Sequence, residues 1–254
     1  MLKLAAEHAI TTLSITDHDT VDGYMEALPL AAQYHVRLIP GIEFSTSLDN
    51  KKEIHILGYF FDPANPAMQE YITFFKTERI SRAEQMIRNL IAAGYDITME
   101  EVMQEAGVGA VGRPHIARAL HKKGVVKKFQ KAFETLIGHD SPFYVPKTFI
   151  TPQKAIDIIH RAGGLAFIAH PGLMSENRLL PLMQMGFDGI EVVHHSHSEQ
   201  QRDYFSSLAA QHNLLASGGS DFHGGKSYDY KNFPTCTIPD VWVEIMRRRL
   251  KTNS

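Results

Sequence analysis

Short runs of alternating apolar and polar residues, separated by stretches with helical spacing, set the rhythm of this chain. The runs "TTLSITDHD" (11–19), "VRLIPGIEFS" (36–45) and "EIHILGYFF" (53–61) read as β-strands, as do "GLAFIAHPG" (164–172), "FDGIEVVHHSH" (187–197) and "LLASGGSDFHGG" (214–225). An Ala/Leu-rich stretch near 22–34 reads as helix. Thr151-Pro152 offers an N-cap and a first-turn proline for a helix ending at Gly163-Gly164, and Ser198 opens another over "EQQRDYFSSLAAQHN". Strands and helices alternating in this way predict an α/β fold with a mainly parallel sheet and crossover helices.

Residues 62–150 break the rhythm. After "DPANP", the segment "AMQEYITFFKTERISRAEQMIRNLIAAG" keeps helical spacing over several turns. "TMEEVMQEAG" carries the capping-box pattern Thr98-x-x-Glu101, and "RPHIARALHKKG" and "KKFQKAFETLIG" each finish on a glycine in the C-cap position. The organisation expected is therefore a discontinuous barrel domain, 1–61 with 151–254, and a helical insertion, 62–150. An insertion leaving the C-terminal end of a strand would lie over the active face as a lid.

Composition narrows the class. With 254 residues, 44% hydrophobic content and a net charge of −2, the chain is ordinary globular material and lacks the strongly basic balance of a nucleic-acid coat. Cys236 is the single cysteine, which excludes an internal disulfide and suits a reducing, cytoplasmic setting. "MLKLAAEHAI" has no secretory pattern, and no apolar run approaches the ~20 residues of a membrane span. No stable protein partner is expected.

Histidine is the unusual residue, 14 in all, and position matters more than number. His18 follows the first predicted strand, Glu43 ends "LIPGIE", His55 lies in "EIHILGY" and His170 ends "LAFIAH". His194, His195 and His197 follow "GIEVV", and Asp221 and His223 follow "LLASGGS". Any one of these could be a hydrogen-bonded surface histidine. Their coincidence at six strand ends, which converge on one face in barrel and doubly wound folds, points instead to a divalent transition-metal site. In an extended Asp-x-His segment both side chains point the same way, so Asp221 and His223 can share a cluster. Glu43 has two oxygens with which to bridge cations. Bridged cations suit phosphate-ester hydrolysis by a metal-bound water, with no protein nucleophile. Asp17 and Asp19 read as a turn or as carboxylates that orient His18, and His194 and His195 are ambiguous between ligand and support. The remaining histidines, His8, His35, His121, His139, His160 and His212, read as structural or solvated.

In the order "TDHDT", "GIEFS", "EIHILGY", "AHPG", "GIEVV…SHS" and "GSDFHG", these motifs resemble the PHP (polymerase and histidinol phosphatase) metallohydrolases. "GRPHIARAL" and "SHSEQ" resemble most the bacterial nucleoside-3′,5′-bisphosphate phosphatases that also act as 5′-to-3′ exoribonucleases. The resemblance covers almost the whole chain. It implies a distorted TIM-like (β/α)7 barrel with up to three ions, commonly Mn2+, with Zn2+ or Fe2+ as alternatives. It further implies His18, Glu43, His55, His170, Asp221 and His223 as ligands, with Glu43 bridging, and Asp17, Asp19, His195 and His197 supporting them from behind. The family's opening strand, with its His-x-His pair and Ser-Asp-Gly turn, has no counterpart before residue 18, so the expectation is a barrel lacking its first strand.

Arg79 and Arg82 share a face of a predicted helix, and Arg113 and His115 open another. These four residues are candidates for holding a substrate phosphate, since guanidinium binds phosphate oxygens bidentately and a helix start attracts anions. The substrates expected are nucleoside 3′,5′-bisphosphates and 5′-phosphorylated short RNA ends. The alternatives are a histidinol-phosphate-type phosphatase and a non-catalytic nucleotide- or RNA-binding module.

Overall fold

A computed structural model describes every residue except 51, 108, 109, 225, 226 and 254. Six strands, β1 (Thr12–Ile15), β2 (Arg37–Ser47), β3 (Glu53–Tyr59), β4 (Leu165–Ile168), β5 (Gly189–Val193) and β6 (Leu215–Gly218), form one curled sheet in chain order. The helices are α1 (Leu2–Glu7), α2 (Asp22–Ala27), α3 (Pro66–Ala92), α4 (Met99–Ala106), α5 (Arg113–Lys122), α6 (Phe129–Thr135), α7 (Pro152–Arg161), α8 (Glu176–Leu182), α9 (Glu199–Gln211), α10 (Ser227–Asn232) and α11 (Asp240–Asn253).

The expectation of a mainly parallel sheet needs correction at one strand. β1–β2, β4–β5 and β5–β6 are parallel, whereas β3 runs antiparallel to both its neighbours. Residues 48–52 between β2 and β3 are too few for a crossover, so the chain must double back. As a result the start of β3, with His55, lies beside the end of β4, and Glu43 sits inside β2 rather than at its end.

Burial explains the strand calls made on composition. All four residues of β4, "LAFI", are buried, as a central strand covered on both faces should be. Leu57, Phe167, Leu215 and Met246 form one apolar cluster, joining β3, β4 and β6 to α11. A second cluster holds Leu2 and Ala5 of α1 against Val36 and Phe233. It brings the chain beyond β6 back towards the β1 end of the sheet. Gly189 is required where it stands, because a Cβ there would lie 2.1 Å from the Phe167 ring.

The capping signals hold where a side chain closes the helix. Thr151 Oγ1 accepts from Lys154 N, and Ser198 and Thr98 each form a reciprocal capping box. Gly163, at φ 75°, closes α7 with N–H bonds to His160 and Ile159 through Gly164. Two readings fail. The run 127–138 does not end on a glycine cap, since α6 stops at Thr135 with Leu136 as its C-cap. The stretch near 22–34 divides, because after Ala27 a 3-10 segment containing Pro29 (Leu28–Tyr34) replaces the α-helix. Within 214–225 the strand itself is only Leu215–Gly218, and Gly225 lies outside the described residues.

The chain divides into two compact units, Met1–Gln69 with Phe149–Ser254, and Glu70–Thr148. The division falls inside α3, a few residues later than the composition change at 62. The second unit has its own core, with Met86, Ile87 and Leu90 of α3 packed on Val102, Ile116, Leu120 and Ile137. Among the described residues no helix is long and apolar enough to cross a membrane.

Candidate metal centre

The sheet ends in the first unit gather the histidines around Glu43. A backbone ladder sets the first pair. Asp19 N–H donates to Glu43 O at 2.9 Å and Glu43 N–H to Asp17 O at 3.1 Å, which fixes His18 opposite Glu43 as a parallel bridge. Asp19 locks that ladder, its buried carboxylate accepting Ser45 N–H and Ser45 Oγ–H, both at 2.8 Å. Asp17 accepts the Gly23 N–H; burial raises its carboxyl, and that hydrogen bond opposes the rise.

The two oxygens of Glu43 face different histidines. Oε2 lies 3.5 Å from His18 Nδ1, while Oε1 lies 2.8 Å from His55 Nδ1 and 3.2 Å from His170 Nε2. His55 Nδ1 and His170 Nε2 are themselves 3.0 Å apart. A cation held about 2.1 Å from each of two donors separates them by about 3 Å, so this donor set fits a divalent ion. Burial alone would raise the Glu43 carboxyl, but the charges of His18 and His55 and hydrogen bonds from His170 and His55 hold it well below the carboxylate range. Burial would lower His55, yet Glu43 and then Glu53 push it up to about 10. In this arrangement a proton balances the charge that a cation would otherwise balance.

A second group lies at the ends of β5 and β6. His194, His195 and Asp221 each offer a donor atom within 4.8 Å of the others. The expectation of an extended Asp-x-His is not met. Asp221 has φ 52°, and the His223 ring turns back so that Nδ1 lies 2.8 Å from Asp221 O. His223 is largely exposed, 6.2 Å from the His18 ring between centroids. His170 (φ 27°), Asp19 (φ 57°) and Asp221 all hold positive-φ backbone, a concentration of strain at one place.

His195 is partly exposed, and burial and the neighbouring His194 lower its imidazole. His197 is buried with both ring nitrogens engaged, Nδ1 at 2.9 Å from Val192 O and Nε2 accepting Gly172 N–H at 3.1 Å. Burial holds it down to about 4. It thereby braces the turn that follows His170.

Three residues of this region escaped the sequence reading. Glu191 is buried in β5 and accepts the His170 N–H at 2.7 Å; burial raises its carboxyl well above the usual range. Its signal was an acid inside the apolar run "GIEVV". Glu53 lies 3.1 Å from His55 Nε2, and its i, i+2 spacing from His55 within a strand made this legible. His194, weighed only as ambiguous, is buried.

The cations proposed for phosphate form a cluster within the second unit. Arg82 and Arg113 stand over the Tyr144 ring at 5.5 Å and 5.4 Å, and Arg82 Nε donates to Val145 O at 2.7 Å. Burial lowers the Arg82 guanidinium, and the charges of Arg113 and Arg79 lower it further. Arg79 and Arg82 line a cleft of about 260 Å³ with Lys147 and Thr148. His115 has a local task as well, its Nδ1 accepting the Gly112 N–H at 2.9 Å to cap α5.

No family model matches the chain. It is 34% identical to a 3′,5′-nucleoside bisphosphate phosphatase of Chromobacterium violaceum, over 97% of this chain and 90% of that protein. It is 36% identical to the 5′-3′ exoribonuclease Rnm of Salmonella typhimurium, over 96% of this chain and 81% of that one. A solved metal-dependent phosphoesterase from Bifidobacterium adolescentis superposes with a TM-score of 0.83 at 27% identity, covering 98% of this chain and 89% of that one. With these relatives and with His, Glu and Asp donors gathered at the sheet ends, the chain belongs to the PHP metal-dependent phosphoesterases, in the group of bisphosphate phosphatases and 5′-3′ exoribonucleases, and is a hydrolase of phosphate esters.

Proposed function

We propose that this chain releases phosphate from nucleoside 3′,5′-bisphosphates and removes nucleotides from 5′-phosphorylated short RNA, using His18, Glu43, His55, His170, Asp221 and His223 to hold divalent cations, with Mn2+ as the native ion. The observation that carries the reading is the Glu43 carboxylate, whose two oxygens face His18 on one side and His55 with His170 on the other. When bound, the cations acidify a water and draw charge from the phosphoryl group.

The protein's own side chains do the rest. Glu43 and the histidines fix the ions, while Glu191, Asp17, Asp19 and His197 keep the ligands and their loops in place. Arg79, Arg82 and Arg113 hold an anionic group of the substrate, and Tyr144 stiffens their guanidinium planes. His115 orders the start of α5. The relatives' printed activities support the bisphosphate and RNA-end substrates over a histidinol-phosphate-type substrate, whose amine would gain nothing from three clustered arginines. The same reading takes the enzyme to be cytoplasmic, which the single, unpaired Cys236 supports.

The test is phosphate release from adenosine 3′,5′-bisphosphate with Mn2+ and with chelator, beside histidinol phosphate at equal concentration. Chelator-sensitive turnover of the bisphosphate is expected. A folded, Mn2+-loaded protein that hydrolyses neither compound would overturn the reading.

A further inference from the structure

The end of β5 carries two consecutive histidines, and the end of β6 brings one carboxylate to both. His194 is 1% exposed, and among the described residues its Nε2 has no hydrogen-bond partner. That atom lies 3.6 Å from Asp221 Oδ2, and His195 Nε2 lies 3.9 Å from the same oxygen. The two imidazoles sit 4.3 Å apart between centroids. A buried ring nitrogen aimed at a carboxylate, yet too far for a hydrogen bond, is costly unless something stands between them.

The surroundings suit a metal ligand. His194 Nδ1 lies 2.7 Å from Ser196 Oγ, and donation to that hydroxyl leaves the Nε2 lone pair facing Asp221. His197, the other histidine of this loop, has both ring nitrogens occupied, so it acts as a wall. His195 is partly open to solvent, which gives an ion a way in and lets that ring swing towards the carboxylate.

We propose that His194 Nε2, His195 Nε2 and Asp221 form a divalent-cation position of their own, beside the Glu43 cluster. Two imidazoles and one carboxylate with an open side suit Zn2+, Co2+ or Mn2+. The inference rests on the proposed function in one respect, since it takes Asp221 from the ligand set given there and replaces its neighbour His223 by the double histidine. His223, exposed and turned back on the Asp221 carbonyl, is then free to meet substrate or solvent.

Equilibrium dialysis of the full chain against Co2+ and Mn2+, with metal counted and the Co2+ visible spectrum recorded, tests it without substrate. His195→Gln should lose one bound equivalent, or bind it at least tenfold more weakly, and lose part of the Co2+ absorption. Glu43→Gln should remove a different equivalent, and His195→Asp, which restores an oxygen donor, should recover the first. His194→Gln, checked for folding by circular dichroism, should behave as His195→Gln does. If His195→Gln binds the same number of ions with unchanged affinity and spectrum while Glu43→Gln does not, this position is overturned and the proposed function stands. If the unaltered chain binds no divalent cation, both fall.

Discussion

Glu191 accepts the backbone N–H of His170 at 2.7 Å from within the buried β5 strand, and so holds His170 at φ 27°, where a non-glycine residue is strained. Glu191→Gln keeps an acceptor oxygen and should leave metal affinity nearly unchanged. Glu191→Leu removes it, and about 10- to 100-fold weaker metal binding is expected, as for loss of a group that orients a ligand. Mn2+ titration of both variants checks this. Equal loss in the two would show that charge, not the hydrogen bond, is what matters.

Asp19 ties β1's exit to β2 through Ser45 N–H and Oγ–H. Asp19→Ala leaves a buried N–H unsatisfied and places alanine at φ 57°, so a loss of about 2–4 kcal/mol is expected. Asp19→Asn keeps one acceptor and should lose less. Urea denaturation ranks the two, and an alanine variant as stable as the parent would refute the assignment.

His160 Nε2 lies 2.7 Å from Asp188 Oδ2, and that hydrogen bond raises the imidazole against the opposing effect of burial. A folded value above the unfolded ~6.5 means the protonated form favours the native state. The contribution is therefore full below ~6.5 and is lost as pH rises through the folded value. Because His160 is partly exposed, about 0.5 kcal/mol is at stake. The stability gap between the parent and His160→Gln should shrink from pH 6 upward across about 2 pH units, and a gap that widens would reverse the sign.

Gly189→Ala puts a methyl group 2.1 Å from the Phe167 ring in a fully buried strand pair. Overpacking of this kind costs about 1–3 kcal/mol. Thermal melting should show it, and Phe167→Leu in the same chain should relieve part of it.

Much of this was readable in the chain. The strands announced themselves by apolar runs, the capped helices by Thr98, Thr151 and Ser198, and the metal-type residues by their recurrence at strand ends. The direction of β3 was not readable from its pattern, because alternation looks the same in either sense; only the short connection at 48–52 decides it. His194 and His195 could not be sorted, since adjacent residues alternate faces in a strand and these two lie just beyond one. The twist of Asp221 into positive φ was equally hidden, as nothing in "GSDFHG" marks which residue takes that conformation.

The β2–β3 hairpin also governs how the centre assembles. Glu43 and His55 are 12 residues apart along the chain, whereas His55 and His170 are separated by 115. Closing the shorter loop costs about 2 kcal/mol less conformational entropy than closing the longer one. In a folding or nascent chain the carboxylate and its first imidazole therefore meet by local zippering, well before synthesis has reached β4. The arrival of His170 is the late step that turns a hairpin with two donors into a chelate.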